Sequence, residues 1–121
     1  MTTIQDQTAE TLAAIARFSA AFDGHDVEGV MAAMSADCVF ENTGPAPDGE
    51  RYAGASAVRG FWERFFRDNP TATIVAEEQF AAGDRGVVRW RYDWGDGHVR
   101  GIDVFRVRDG LVTEKLSYVK G

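Results

Sequence analysis

Apolar residues recur at steps of three and four in the first part of the chain. Between residues 8 and 22 the large apolar side chains are separated by alanines, at the positions Leu12, Ile15, Phe18 and Phe22. This spacing is the period of a helix that buries one stripe of its surface. Gly24 follows as a stop signal, so the pattern predicts a helix over residues 8–22.

Two more helical patterns follow. Asp26 is a suitable N-cap for a short helix that ends near Ser35, with a shared apolar face of Val27, Val30, Met31 and Met34. A third helix is predicted after Ala53, and Pro70 forces it to end at or before Asn69. Its apolar face consists of Val58, Phe61, Trp62, Phe65 and Phe66.

A short strand and a loop are expected between the second and third helices. Residues 38–42 are predicted to form the strand, and residues 43–53 contain Gly44, Pro45, Pro47 and the pair Asp48-Gly49. These residue types favour turns, so the whole segment 43–53 is predicted to be a loop. We expect Tyr52 to fold back over the interior as part of a lid.

After Pro70 the period of the apolar residues changes from 3.6 to 2, which is typical of strands. Four strands are predicted, separated by the turn signals Gly83-Asp84, Gly95-Asp96-Gly97 and Asp109-Gly110, near residues 72–81, 86–94, 98–107 and 111–119. The expected fold is α+β, a single domain over residues 1–121 in which three N-terminal helices cover one face of a curved antiparallel sheet.

Composition excludes several classes of function. The formal net charge is −6, which opposes binding to nucleic acid. No apolar run approaches the length of a membrane span, and no basic, apolar leader begins the chain. Because the chain has one cysteine, Cys38, and only His25 and His98 as histidines, we expect no metal site, no disulfide and a reducing, cytoplasmic compartment.

The element order and four stretches resemble the nuclear-transport-factor-2-like superfamily, in particular its SnoaL-like polyketide cyclases and ketosteroid isomerases. The stretches are residues 25–30, 37–42, 54–62 and 101–107. The resemblance implies a cone-shaped α+β barrel with a pocket for a small hydrophobic ligand inside it. It also implies a homodimer that forms through the outer face of the sheet, and chemistry without a cofactor.

The resemblance to the ketosteroid isomerases can be followed at three positions. Their carboxylate base at the end of the first strand matches Asn42, which cannot accept a proton, and their oxyanion-holding tyrosine matches Phe18, which has no hydroxyl group. Their protonated, hydrogen-bond-donating aspartate matches Asp103. Steroid isomerisation by that mechanism is therefore not expected, although one buried acid is retained.

If Asp103 points inward, the alternation of a strand also directs its neighbours. The inward set on the same strand is Val99, Gly101, Phe105 and Val107, and on the preceding strand it is Val88, Trp90, Tyr92 and Trp94. On the last strand the hairpin register places Thr113, Lys115, Ser117 and Val119 inward, and a slip by one residue would reverse this.

Asp103 is the first candidate for chemistry. A carboxyl group in an apolar pocket can act as a general base near neutral pH or as a neutral donor, and a nearby Lys115 would favour the ionised base. Asn42 and Tyr92 could donate hydrogen bonds to an enolate oxygen. The predicted reaction is proton abstraction next to a carbonyl, in an isomerase or cyclase of hydrophobic, polyketide-like compounds. The expected substrate-binding residues are Phe18, Phe22, Phe40, Tyr52, Trp62, Phe66, Trp90, Phe105 and Ser117.

Three alternatives stay open. Asp103 could be a structural acid satisfied by Lys115, Asn42 or backbone donors, and the chain could be a non-catalytic module that binds a small ligand or dimerises. The segment Arg91-Tyr92-Asp93 matches the Arg-x-Asp spacing of limonene-epoxide-hydrolase-like proteins, but their second carboxylate is replaced by Ser117. The remaining polar residues are expected at the surface. We expect His98 at the rim, and cross-strand ion pairs or dimer contacts for Arg89, Arg91, Arg100 and Arg106.

Overall fold

The computed structural model describes residues 3–121. The helices in this range are α1 (Ile4–Asp23), α2 (Val27–Ala32) and α3 (Ala55–Asp68). The strands are β1 (Met34–Glu41), β2 (Arg51–Ala53), β3 (Thr73–Ala82), β4 (Arg85–Asp93), β5 (His98–Arg108) and β6 (Leu111–Val119). The predicted α+β fold class is confirmed.

The strands that the structure describes form one six-stranded sheet in the order β2-β1-β6-β5-β4-β3. β3 to β6 form the predicted antiparallel meander. β1, however, lies parallel to β6, with Phe40 opposite Lys115. The chain needs the whole of α3 and the meander to return to β1, and such a long connection is what a parallel neighbour requires.

The prediction that residues 43–53 are entirely loop is wrong at its end. Arg51–Ala53 forms β2, which pairs antiparallel with β1 and places Tyr52 opposite Phe40. An ion pair of 2.7 Å between Arg51 and Glu41 joins the two strands. Three residues are too few for a period-2 pattern to be visible among the glycines and prolines that precede them.

The predicted start of α1 and end of α2 are also corrected. Thr3 caps α1, which begins four residues earlier than predicted, and its hydroxyl oxygen accepts a hydrogen bond from the Asp6 N–H. The predicted N-cap Asp26 is confirmed, because its carboxylate accepts from the Gly29 N–H at 3.0 Å. Ser35 lies in β1 rather than at the end of α2, because β1 already begins at Met34, which pairs with Val112 of β6.

The helices cover one face of the sheet, and the core lies between the two layers. Trp62, Phe40 and Phe105 are among the largest fully buried side chains, and each such burial contributes about 2–3 kcal/mol. Gly86 lets α1 approach β4 closely, since a Cβ atom there would meet the Ile15 side chain. In residues 3–121 there is no helix of sufficient length and apolar character to cross a membrane.

The opposite face of the sheet carries charged and apolar side chains. Arginines there form cross-strand ion pairs, as predicted: Arg89 with Glu78 at 3.2 Å, Arg100 with Glu77 at 2.9 Å and Arg106 with Asp84 at 3.1 Å. Between them, four apolar residues stand in register on adjacent strands, at Phe80, Val87, Val104 and Leu116. We call these four residues the outer apolar row.

Candidate functional site

The strand alternation predicted for β4, β5 and β6 is confirmed. Asp103 and Lys115 are both buried, each 6% exposed, on neighbouring strands of the inner face. The β5–β6 register places Asp103 opposite Ser117 and Phe105 opposite Lys115. The two-residue turn at Asp109-Gly110 pairs Val107 with Val112, and a bulge at Thr113 then shifts the register by one residue, which brings Lys115 onto the same face as Asp103.

Three polar side chains form a closed hydrogen-bonded cluster at this point. The Lys115 Nζ lies 3.2 Å from the Asp103 Oδ2 and donates to the Ser117 Oγ at 2.9 Å. The Ser117 hydroxyl in turn donates to the Asp103 Oδ1 at 2.7 Å. We call Asp103, Lys115 and Ser117 the polar cluster. Each oxygen of the carboxylate therefore has a partner from β6.

Aromatic rings surround the Lys115 amine. Its Nζ lies 4.8 Å from the centroid of Phe40, 5.4 Å from that of Trp62 and 5.9 Å from that of Phe18. The ring faces stabilise a cation, but they exclude the water that would solvate it. Burial lowers the pKa of Lys115 below its ordinary value, and the negative charge of Asp103 opposes that effect.

Two cavities adjoin the polar cluster. The first has a volume of about 60 Å³ and the second about 200 Å³. Both are lined by Asp103, Lys115, Phe22, Ile74 and Trp90. Their walls are mostly apolar and aromatic, and the Asp103 carboxyl group and the Lys115 amine line both of them. This is the usual composition of a small-molecule site.

Most of the predicted site residues line these cavities. Phe18 and Phe105 line the first. The second is lined by Asn42, Tyr92, Phe40, Trp62 and Ser117. Burial raises the pKa of the Tyr92 hydroxyl above its ordinary value, so it stays a neutral hydrogen-bond donor at neutral pH.

Tyr52 and Phe66 are the exceptions, since neither lines these two cavities. Tyr52 is held on β2 by its stacking on Phe40, with ring centroids 6.1 Å apart, and does not form the expected lid. Phe66 is in the last turn of α3, where its ring stacks on His25 at 4.7 Å. By its spacing along α3, Phe66 belongs to the core-facing stripe of that helix. At this end of α3, however, the stripe packs against the turn between α1 and α2 rather than against the cavities.

Sequence reasoning missed several lining residues. Phe61 and Phe65 of α3 and Thr43 line the second cavity, Asp23 of α1 lines the first, and Ile74 of β3 lines both. The inward set of β3 could not be read from alternation, because the strand carries a bulge between Ala76 and Glu78. The periodicity of α3 already included Phe61 and Phe65, so that signal was present.

The indole N–H groups of Trp62 and Trp90 are buried without a hydrogen-bond partner within residues 3–121. Both tryptophans line the second cavity. A buried donor without a partner costs about 1–3 kcal/mol. Gly101 makes room for one of these rings, because a Cβ atom there would lie 2.5 Å from the Trp90 ring.

The Arg-x-Asp pair takes no part in this site. Arg91 lies 3.1 Å from Asp93, and both side chains are more than one-third exposed. Neither residue lines the two cavities, so the geometry does not support the epoxide-hydrolase alternative. His98 is exposed and lies 3.3 Å from an Arg100 nitrogen, as expected of a rim residue.

The fold and the pocket define an α+β protein of the nuclear-transport-factor-2-like class. The profile of the SnoaL-like domain family matches residues 15–115. The chain therefore belongs to the SnoaL-like family. No curated protein matches it.

Solved structures support this assignment. An NTF2-like protein of unknown function from Mesorhizobium loti is 41% identical, with a TM-score of 0.86, over 96% of this chain and 95% of that one. A computationally designed 17-OHP binder is 28% identical, with a TM-score of 0.79, over 94% and 92%. A putative ketosteroid isomerase from Kribbella flavida, at 22% identity, shares the fold, with a TM-score of 0.79 over 95% and 81%.

Proposed function

We propose that this protein is a cofactor-independent isomerase or cyclase that removes a proton next to a carbonyl group of a hydrophobic, polyketide-like compound. The observation that carries the proposal is the buried Asp103 carboxylate, paired with an amine where two aromatic cavities meet. The similarity to a designed 17-OHP binder supports a small organic ligand in this pocket.

Asp103 is the base in the proposed reaction. Its carboxylate lies 3.2 Å from the Lys115 amine, and both groups line both cavities. The apolar walls exclude water, so the carboxylate meets the substrate partly desolvated, and this strengthens its electrostatic interactions. The cavity thus offers a carboxylate base that is protected from bulk solvent.

The negative charge that develops on the carbonyl oxygen needs donors that are already in position. Asn42 and Tyr92 line the second cavity and supply an amide N–H and a hydroxyl. The partnerless indole N–H groups of Trp62 and Trp90 are further candidates, because an oxygen acceptor on the ligand would satisfy them. The preferred ligand is therefore flat and apolar, with one or two oxygen atoms.

Deuterium exchange tests this proposal without the true substrate. We expect the wild type to accelerate exchange of the methyl protons of 2-acetonaphthone in heavy water, followed by NMR, and Asp103→Asn to lose at least 100-fold of that rate. Asp96→Asn removes an exposed carboxylate in the β4–β5 turn and is the matched control. Equal rates in the wild type and Asp103→Asn would refute the role of Asp103 as the base.

A second candidate function is a non-catalytic binding module. It is favoured by the polar cluster itself, in which both Asp103 oxygens already have partners, and by Asn42 at the position of the family's base. It predicts that 2-acetonaphthone quenches the fluorescence of Trp62 and Trp90 equally in the wild type and Asp103→Asn. Quenching without any exchange would favour this function over the enzyme.

We also propose that two copies associate through the outer face of the sheet. The outer apolar row supports this, since Phe80 is 57% exposed and no helix covers that face in residues 3–121. We expect a dimer by light scattering in the wild type and a monomer in Val104→Arg. Gln5→Arg adds the same charge at an exposed position of α1 and should stay dimeric. A wild-type monomer would refute the proposal.

A further inference from the structure

We propose that Lys115 is a nucleophilic amine that forms an iminium bond with the carbonyl carbon of the ligand. This inference deepens the proposed function and rests on it in one respect, namely that the ligand carries a carbonyl group. The geometry that carries it is the placement of the Lys115 side chain in the lining of both cavities, beside a carboxylate.

The residue type at this position is the first argument. The chain has two lysines, Lys115 and Lys120, and all its other cationic side chains apart from histidine are arginines. A structural ion pair is served at least as well by arginine, which stays charged and can bind a carboxylate with two hydrogen bonds. A lysine can lose its proton and become a nucleophile, and here the lysine is the buried one.

The surroundings of the amine are the second argument. Aromatic rings on three sides and a side chain that is 7% exposed deprive the Nζ of water. The titratable groups that share these cavities with it are Asp103, Asp23 and Tyr92. Asp103 is in direct contact at 3.2 Å and can take the proton that the amine must release before it attacks.

The step balances with the groups present. The Lys115 ammonium passes one proton to Asp103, and the neutral nitrogen forms a bond to the carbonyl carbon while the π-electron pair moves to oxygen. That oxygen takes two protons, one from the nitrogen and one from Asp103, and leaves as water. The products are one iminium ion and one water, and Asp103 is again a carboxylate that can remove an α-proton from the iminium.

Reductive trapping tests the inference. The wild type is mixed with 2-naphthaldehyde and sodium cyanoborohydride, and the labelled positions are found by peptide mass spectrometry. This aldehyde has no α-proton, so trapping reports on the amine alone and not on proton abstraction. We expect one label per chain, at Lys115, at least ten-fold faster than at Lys120. Equal labelling of the two lysines, or labelling of Lys120 and the N-terminus alone, would overturn the inference.

Variants separate this inference from the proposed function. Lys120→Arg should keep the label, whereas Lys115→Arg should lose it while retaining a cation and its far-ultraviolet circular dichroism spectrum. If Lys115→Arg fails to fold, the ratio of labelling at the two lysines of the wild type still decides the question. Exchange on 2-acetonaphthone without a label at Lys115 refutes the inference and leaves Asp103 as the base, whereas a label without exchange supports the amine and refutes the proposed proton abstraction.

Discussion

A double-mutant cycle on the buried ion pair is the most direct test of the polar cluster. The changes are Lys115→Met, which keeps the length and removes the charge, and Asp103→Val, which suits a strand. At a separation of 3.2 Å, the attraction between the two charges is about 5 kcal/mol for an effective dielectric constant near 20. Desolvation of each ion opposes this by several kcal/mol. The net contribution of the intact pair to stability is therefore small.

The single variants behave differently from the pair. Lys115→Met leaves the Asp103 carboxylate buried with only the Ser117 hydroxyl as a partner, and we expect it to lower the free energy of unfolding by about 3–5 kcal/mol. Asp103→Val leaves a buried ammonium among aromatic rings and is expected to cost a similar amount. The double variant is expected to lie within about 1 kcal/mol of the wild type or above it, because no uncompensated charge remains.

Urea unfolding at pH 7, followed by far-ultraviolet circular dichroism, measures all four proteins. The expected result is a coupling energy of several kcal/mol between the two positions. Ser117→Ala is the matched control, since it removes hydrogen bonds of the polar cluster but no charge, and it should cost about 1 kcal/mol. Additive losses in the double variant, or single losses below about 1 kcal/mol, would refute the description of this pair as desolvated.

Three further predictions concern stability. Asp103→Asn removes the charge that opposes the lowering of the Lys115 pKa. The unfolded state then binds more protons at Lys115, so from pH 7 to about 10 the free energy of unfolding in urea should rise with pH more steeply in this variant than in the wild type, and parallel profiles would contradict this. A Cβ atom at Gly101 would overlap both the backbone carbonyl of Tyr118 and the Trp90 ring. Gly101→Ala should therefore displace β6 and Trp90, lower the free energy of unfolding by at least about 1–3 kcal/mol and shift the tryptophan fluorescence; an unchanged spectrum would show that the ring needs no such space. Gly60→Ala should stabilise α3 by about 0.5–1 kcal/mol in thermal unfolding, because a Cβ atom there meets only a flexible side chain, and a loss would contradict that.

The inner face of the meander could be predicted because its strands are joined by short turns. The turn at Asp109-Gly110 joins β5 to β6, but a bulge at Thr113 shifts the register between the turn and the site by one residue, and with that shift Lys115 faces inward beside Asp103. The helices were predicted for a similar reason, since their apolar stripes repeat over several turns. These signals are local, and they persist over enough residues to be read from one sequence.

The features that were missed depend on contacts between distant parts of the chain. β2 is three residues long and exists because β1 offers an unpaired edge to Tyr52 and its neighbours. The parallel pairing of β1 with β6 cannot be read from either strand, because both parallel and antiparallel neighbours show the same period. Ile74 was missed because β3 contains a bulge. The bulge interrupts the alternation of inward and outward side chains, so the sequence pattern could not place Ile74 in the site.

The position of Asn42 and the contact between Asp103 and Lys115 distinguish the site of this protein from that of the ketosteroid isomerases it resembles. At the end of β1, where the resemblance expects a carboxylate base, Asn42 can only donate or accept a hydrogen bond. The acid and the amine that line both cavities, Asp103 and Lys115, lie instead on β5 and β6 and are in contact with each other. In the proposed function the base therefore lies on β5 rather than β1, and Lys115 supplies the cation beside it from β6.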